Sequence, residues 1–172
     1  NDGRENTVEA KEIAPWGKLL KSSQFWSLGL QFMITDYIMY VFLAWLPLYL
    51  MEVHGFSLSK MGLWAAAPWL SLMAVVSCCG YLSDKAIAAG FSQNLVKTST
   101  GAVGILLCAC TLFIATRTAD PMMNVFWLSV ALGSLGLTMS ASWSSVISMG
   151  GRFAGSVSGW MNFWGNIGGV LA

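Results

Sequence analysis

The sequence predicts an all-α fold, a polytopic membrane bundle of about five transmembrane helices. Of its 172 residues, 56% are hydrophobic and only 10% are charged, against roughly 25% charged in a soluble domain. Five runs stay apolar over the length of about 17–25 residues that a helix needs to cross a bilayer. No run alternates polar and apolar residues with the period of two that a membrane β-barrel requires. In hydrocarbon every backbone polar group must be paired within the protein, and a helix achieves this inside one segment.

The elements follow in order. Residues 1–22 are polar and mixed in charge, with Asp2, Glu5, Glu9 and Glu12 against Arg4, Lys11, Lys18 and Lys21. They read as a solvated cytoplasmic linker before the first span. The first apolar run covers residues 23–51 and the second 58–82, with Ser57 placed to cap the second helix. The third covers 95–116 and the fourth 122–149, with Pro121 suited to its first turn. The fifth covers 153–172, after a tight turn marked by Gly150 and Gly151. Pro47 and Pro68 fall inside helices and are expected to bend them. The chain opens without a methionine or a signal-peptide pattern and stops inside a small-residue helix, so it reads as a piece of a larger protein.

Basic residues set the orientation. With the N-terminal segment cytoplasmic, Arg4, Lys11, Lys18, Lys21, Lys85, Lys97 and Arg152 face the cytoplasm, and only Lys60 and Arg117 face outside. Seven against two fits the positive-inside rule. The short connections predict antiparallel neighbours. A net charge of +1 favours neither nucleic acid nor an acidic partner; the expected surroundings are the lipid bilayer.

Enzyme and metal chemistry find little support. Cys78, Cys79, Cys108 and Cys110 lie inside apolar runs at poor zinc spacings and read as small apolar helix residues. The single histidine, His54, falls in a short external loop, where a solvent-exposed role is expected. Phosphate-loop, metalloprotease and nucleophile-elbow patterns are absent. No cofactor and no metal are expected.

Polar residues within the spans are the candidates for function. In "FMITDYIMY" Asp36 stands in an apolar run, where a charged carboxylate costs roughly 2.5–3.5 kcal/mol on insertion scales. Asp36 and Tyr40 are i,i+4 and share a helix face, while Gln31 and Thr35 form a second polar pair on a different face. The fourth span carries Ser134, Thr138, Ser142 and Ser145 at helical spacing, a pattern that often packs membrane helices together. Trp143 lies beside them, well inside the span. The fifth has Gly151, Gly155 and Gly159 spaced by four, followed by Asn162 and Asn166. Such glycines suit close helix approach, and the two amides need partners or a wet cavity.

One motif points to a family. The second run ends "GYLSDKAIAAG", in which Gly80, Leu82, Asp84 and Lys85 form G-x-L-x-D-K at a cytoplasmic helix end. This resembles the signature loop of the major facilitator superfamily. "PWGKLLKSSQFW", "YVFLAWLPLYL", "GFSLSKMGLWAAAPWL" and "GSVSGWMNFWGNIGG" are similar, in that order, to segments of the superfamily's anion:cation symporter branch, which moves sugar acids and other organic anions. Two features depart from the pattern. The next glycine after Lys85 is Gly90, and Lys97 stands alone before the third span where relatives often have two basic residues.

The resemblance implies spans seven to eleven of a twelve-span fold, with the N-terminal half of the same transporter missing from this chain. It implies a secondary active transporter of a small organic anion, for example a sugar acid, coupled to a proton or another cation and working by alternating access. The expected location is the cell (plasma or inner) membrane. Tyr40, Trp143 and Asn162 match positions that contact substrate in this branch, and Gln31 joins them as a polar group on a cavity-forming span. Asp36 is an ion-coupling candidate, because a protonated carboxyl can donate a hydrogen bond to an anion that the ionised form would repel. Its other readings are tuning of substrate charge and a buried hydrogen bond. A facilitator for a neutral solute or drug, or a non-transporting membrane scaffold, stays open as an alternative.

Overall fold

A computed structural model describes residues 14–172, and every regular element in it is helical. A single turn, α1 (Trp16–Leu19), precedes the long helices α2 (Ser23–Glu52), α3 (Leu58–Ala88), α4 (Gln93–Arg117) and α5 (Pro121–Gly150). A 3-10 turn over Gly151–Phe153 leads into α6 (Ala154–Leu171). Of the linker predicted over 1–22, residues 1–13 lie outside the described residues.

Local chemistry explains the boundaries. The Ser57 hydroxyl accepts from the Lys60 N–H at the start of α3, and Ser92 accepts from Leu95 N–H at 3.2 Å at the start of α4. Asp120 Oδ2 accepts from Met123 N–H at 2.8 Å, and Pro121 takes the first helical position of α5, where its missing N–H costs nothing. Gly151 ends α5 at φ +49°, a backbone that other L-residues rarely adopt. Pro47 and Pro68 lie inside α2 and α3, as predicted.

Four helical runs are long and apolar enough to cross a membrane: Ser23–Glu52, Leu58–Ala88, Gln93–Arg117 and Pro121–Leu171. The fourth contains both α5 and α6, which the turn at Gly151 separates. Cross-helix contacts give the directions. Gln31 meets Ser142 and Tyr49 meets Asn124, so α2 and α5 run antiparallel. Phe25 stacks on Trp160 and Trp45 reaches Ala172, so α2 and α6 run parallel. Lys97 meets Ser148 while Asn124 meets the Ala115 carbonyl, so α4 and α5 run antiparallel. The alternation expected from the short connections is therefore present for α2, α4, α5 and α6.

One expectation shifts. α3 continues to Ala88, beyond the predicted end at Leu82. The polar residues Ser83, Asp84 and Lys85 end the apolar run, but nothing there stops a helix until Gly90, which takes φ +100°. The Gly80–Lys85 motif thus forms the last turns of α3, at a helix end as its sequence suggests.

The core divides along the membrane normal. Phe25, Leu28, Phe32, Val146, Val157 and Met161 pack α2, α5 and α6 together at the lysine-rich end. Phe42, Leu46, Leu50, Leu72, Cys108 and Leu132 pack α2–α5 towards the opposite end. Small residues allow close contact between α4 and α5: a Cβ on Gly104 would meet Leu137 Cβ at 2.9 Å, and Thr138 donates to the Gly101 carbonyl at 3.1 Å. Many large apolar side chains, such as Leu63, Leu106 and Val170, are exposed, as suits a surface solvated by lipid. The four cysteines are free, with Cys79 and Cys108 buried.

A polar clasp closes the end opposite the lysine-rich one. Asn124 is fully buried, and its Nδ2 donates to the Ala115 carbonyl at 2.9 Å and to Tyr49 Oη at 3.1 Å. It satisfies a carbonyl in the last turn of α4 while tying in α2. His54 pairs with the same Tyr49 hydroxyl at 3.1 Å and is half-buried, not the solvent-exposed loop residue expected from sequence.

Candidate functional site

The seam between α2 and α6 is built from glycine. A Cβ on Gly165 would meet the Asp36 carboxyl and, at 2.9 Å, the Phe32 ring. One on Gly168 would meet the Met33 carbonyl, and one on Gly169 would meet the Tyr40 ring at 2.7 Å. Bare backbone on α6 lets α2 lie this close, where larger residues would hold the helices apart.

Asp36 and Tyr40 therefore share the α6 side of α2. Asp36 is half-buried, and its carboxyl has no hydrogen-bond or ion-pair partner among the described residues. Tyr40 lays its ring along Gly169 and remains 40% exposed. A half-buried carboxyl without a fixed partner can bind a proton or a cation, and when protonated it can donate to an anion.

Gln31 and Thr35 take another face, as their spacing predicts. Thr35 is fully buried and donates to its own helix at Gln31 O, 2.9 Å away. Gln31 Nε2 donates to Ser142 Oγ at 3.2 Å and borders a cavity of about 790 Å³ between α2, α4 and α5. Trp143 sits edge-on to Phe32, with ring centroids 6.2 Å apart and planes at 86°, and is 37% exposed. Asn162 is exposed and donates to the Ser158 carbonyl at 3.1 Å; Asn166 donates to the Asn162 carbonyl at 2.8 Å. These amides meet part of their hydrogen-bonding need within α6 itself.

Of the four predicted substrate residues, Gln31 borders the large cavity, while Tyr40, Trp143 and Asn162 border neither of the two cavities described here. The glycine stripe also differs from expectation. Gly151, Gly155 and Gly159 have open space beside them, and the glycines in close contact are Gly165, Gly168 and Gly169. The signal for these lies in "WGNIGG", where two glycines stand three and four residues after a first. Spacing alone does not show which side of α6 meets α2.

At the lysine-rich end, Gly80 and Asp84 border a second cavity of about 250 Å³, together with Lys97 and Ser144. Lys85 reaches back over the Tyr81 ring, 4.6 Å from its centroid. Gly80 has open space where its Cβ would stand, so no helix approaches it closely among the described residues. Lys97 is a feature that sequence reading missed: it is 8% exposed and donates to the Ser144 carbonyl at 3.0 Å and to Ser148 Oγ at 2.7 Å.

Residues 2–172 match the profile of the Major Facilitator Superfamily. Over 165 residues the chain is 30% identical to a probable sulfoacetate transporter of Cupriavidus necator, covering 95% of this chain and 37% of that protein. It is 31% identical over 133 residues to a D-galactonate transporter of Escherichia coli, covering 77% of this chain and 30% of that one. It is 28% identical over 161 residues to a rice protein named "Probable anion transporter 1, chloroplastic", covering 94% of this chain and 30% of the rice protein. The chain thus spans about a third of the length of these relatives.

Proposed function

We infer the function of this chain from its family, for it belongs to the Major Facilitator Superfamily. We propose that it is part of a secondary active transporter that moves a small organic anion, such as a sugar acid, by alternating access. The supporting observation is the alignment of most of this chain with proteins named for sulfoacetate and D-galactonate transport. In this reading the chain supplies spans seven to eleven and the rest of the transporter supplies the opposing half. Transport of this kind needs binding and rocking of two halves, with no covalent step.

Within the site, Tyr40, Trp143, Asn162 and Gln31 contact the substrate, and Asp36 couples its movement to a proton or a cation. That Asp36 has no fixed partner among the described residues supports this role, since an unpaired carboxyl inside a membrane is costly and is kept where it does work. Across the seam the carboxyl meets α6 at Gly165, the glycine that the Phe32 ring also packs against. The Gly80–Lys85 motif acts at the cytoplasmic end. The membrane in this reading is the cell membrane, with the lysine-rich helix ends, and the segment before α2, on the cytoplasmic side.

The test is uptake by the complete protein in proteoliposomes. A panel of sugar acids and short sulfonates is offered with and without an inward proton gradient, beside neutral sugars of the same size. Saturable uptake of an acid, accelerated by the gradient, is expected. Uptake of the neutral sugars alone, or of nothing, would overturn the proposal.

A further inference from the structure

The backbone fixes the direction of every hydrogen bond in the Asn124 clasp. Asn124 Nδ2 faces two carbonyls, Ala115 O at 2.9 Å and Thr118 O at 3.4 Å. A reversed amide would set its oxygen against both. The nitrogen therefore points there, although Oδ1 is then buried without a partner among the described residues. An amide nitrogen only donates. Tyr49 Oη, 3.1 Å from that nitrogen, is thus an acceptor, and its own proton goes elsewhere. The group within reach of it is His54 Nε2, at 3.1 Å. Nε2 therefore accepts and the ring proton sits on Nδ1, so the clasp as it stands takes a neutral imidazole.

A proton on His54 sets these bonds against one another. Both ring nitrogens of an imidazolium are donors. Nε2 and Asn124 Nδ2 would then both donate to Tyr49 Oη, and the hydroxyl proton would lose its acceptor. Histidine is the side chain whose charge ordinarily changes between about pH 5 and 8. The charged residues at this end are Glu52, Lys60, Arg117 and Asp120, all exposed. None of them forms an ion pair with His54 among the described residues. Lys60 lies over the Phe56 ring and Arg117 over the Phe113 ring, while Asp120 accepts from the Met123 N–H. α6 carries no titratable side chain. No neighbouring charge is thus placed to hold a protonated ring in the same geometry.

We propose that the clasp is a proton-sensitive latch, which holds the end of α2 against α4 and α5 while His54 is neutral and weakens when His54 takes a proton. Asn124 keeps the Ala115 carbonyl in both states, so α4 and α5 stay joined and α2 is the element released. The α2–α3 connection, which carries His54, is released with it. The latch lies at the opposite end of the helices from Lys97 and several turns of α2 away from Asp36. It works in the same way whatever solute is carried, and does not rest on the transport reading.

The test is hydrogen exchange, read by mass spectrometry on the complete protein in detergent. Exchange is followed at about pH 8 and about pH 5.5, towards the two ends of the histidine range, and corrected for the pH dependence of free amides. The reporters are the Val53 and Phe56 amides, which donate to the Tyr49 and Leu50 carbonyls. Their protection is expected to fall about two- to tenfold at the lower pH, the worth of one hydrogen bond. His54→Gln keeps an acceptor that takes no proton, and should show the high protection at both pH values. Tyr49→Phe removes the relay, and should show the low protection at both. Equal protection of the wild type at the two pH values would overturn the proposal. A fall of wild-type size in either His54→Gln or Tyr49→Phe would overturn it as well, since the proton would then act through another group.

Discussion

Gly165 and Asp36 meet across the α2–α6 seam so closely that a single methyl group on Gly165 would occupy the space of the Asp36 carboxyl. The aspartate is thus set by the residue type opposite it as well as by its own helix. The Phe32 ring stands against the same glycine, so the position has little room to give.

Gly165→Ala is therefore expected to destabilise the complete transporter by about 1–3 kcal/mol, the usual cost of overpacking. Thermal unfolding in detergent measures this, with Gly155→Ala as the comparison because Gly155 has open space beside it. Equal melting temperatures for the two variants would show that the seam tolerates a methyl group.

Asp36→Asn removes the titrating group while nearly preserving its size. Uptake in this variant is expected to lose its dependence on pH, whatever happens to the maximal rate. Comparing initial rates across a pH series in proteoliposomes checks this. A wild-type profile and rate would remove Asp36 from the coupling step.

Tyr40→Phe deletes a hydroxyl and keeps the ring that packs on Gly169. Stability should hardly change, while KM for the transported anion should rise up to about tenfold, the worth of one hydrogen bond. An unchanged KM would mean that the hydroxyl does not touch substrate.

Asn124→Leu breaks the clasp at the end opposite the lysine-rich one, removing the donor that the Ala115 carbonyl and the Tyr49 hydroxyl share. A loss of about 0.5–1.5 kcal/mol is expected, the net worth of a hydrogen bond, because the Ala115 carbonyl keeps the Thr118 N–H and the Tyr49 hydroxyl keeps His54. Denaturant or thermal unfolding reads it, and His54→Ala should cost less because His54 is only half-buried. A neutral Asn124→Leu would show that water replaces the clasp.

Much of the architecture was legible in the residues. Ser57 and Pro121 mark their helix starts as predicted, and Gly150–Gly151 marks the turn before α6. Caps and turns are local chemistry, so they can be read from a few neighbouring residues. The apolar run of α3 stops at Leu82 while the helix continues to Ala88, because apolar content tracks the bilayer, whereas a helix stops only where its backbone does, here near Gly90.

The candidate site was legible in part. The i,i+4 spacing of Asp36 and Tyr40 puts them on one face of α2, and the geometry keeps them there against α6. Lys97 looked like one more cytoplasmic charge, and Asn124 drew no notice. Both are buried by contacts with residues tens of positions away, Ser148 for Lys97 and Tyr49 for Asn124. No local pattern encodes such a meeting.

By itself the sequence determined that this chain is a helical membrane bundle and where several of its helices start. Those properties follow from hydropathy and helix caps, which act over short stretches. Only the tertiary structure decided that Gly165, Gly168 and Gly169, and not Gly151, Gly155 and Gly159, form the tight seam, and that Lys97 is buried where it lines two cavities. Which face of a helix meets its neighbour depends on how side chains from distant segments fill shared space, and that is settled when the helices pack.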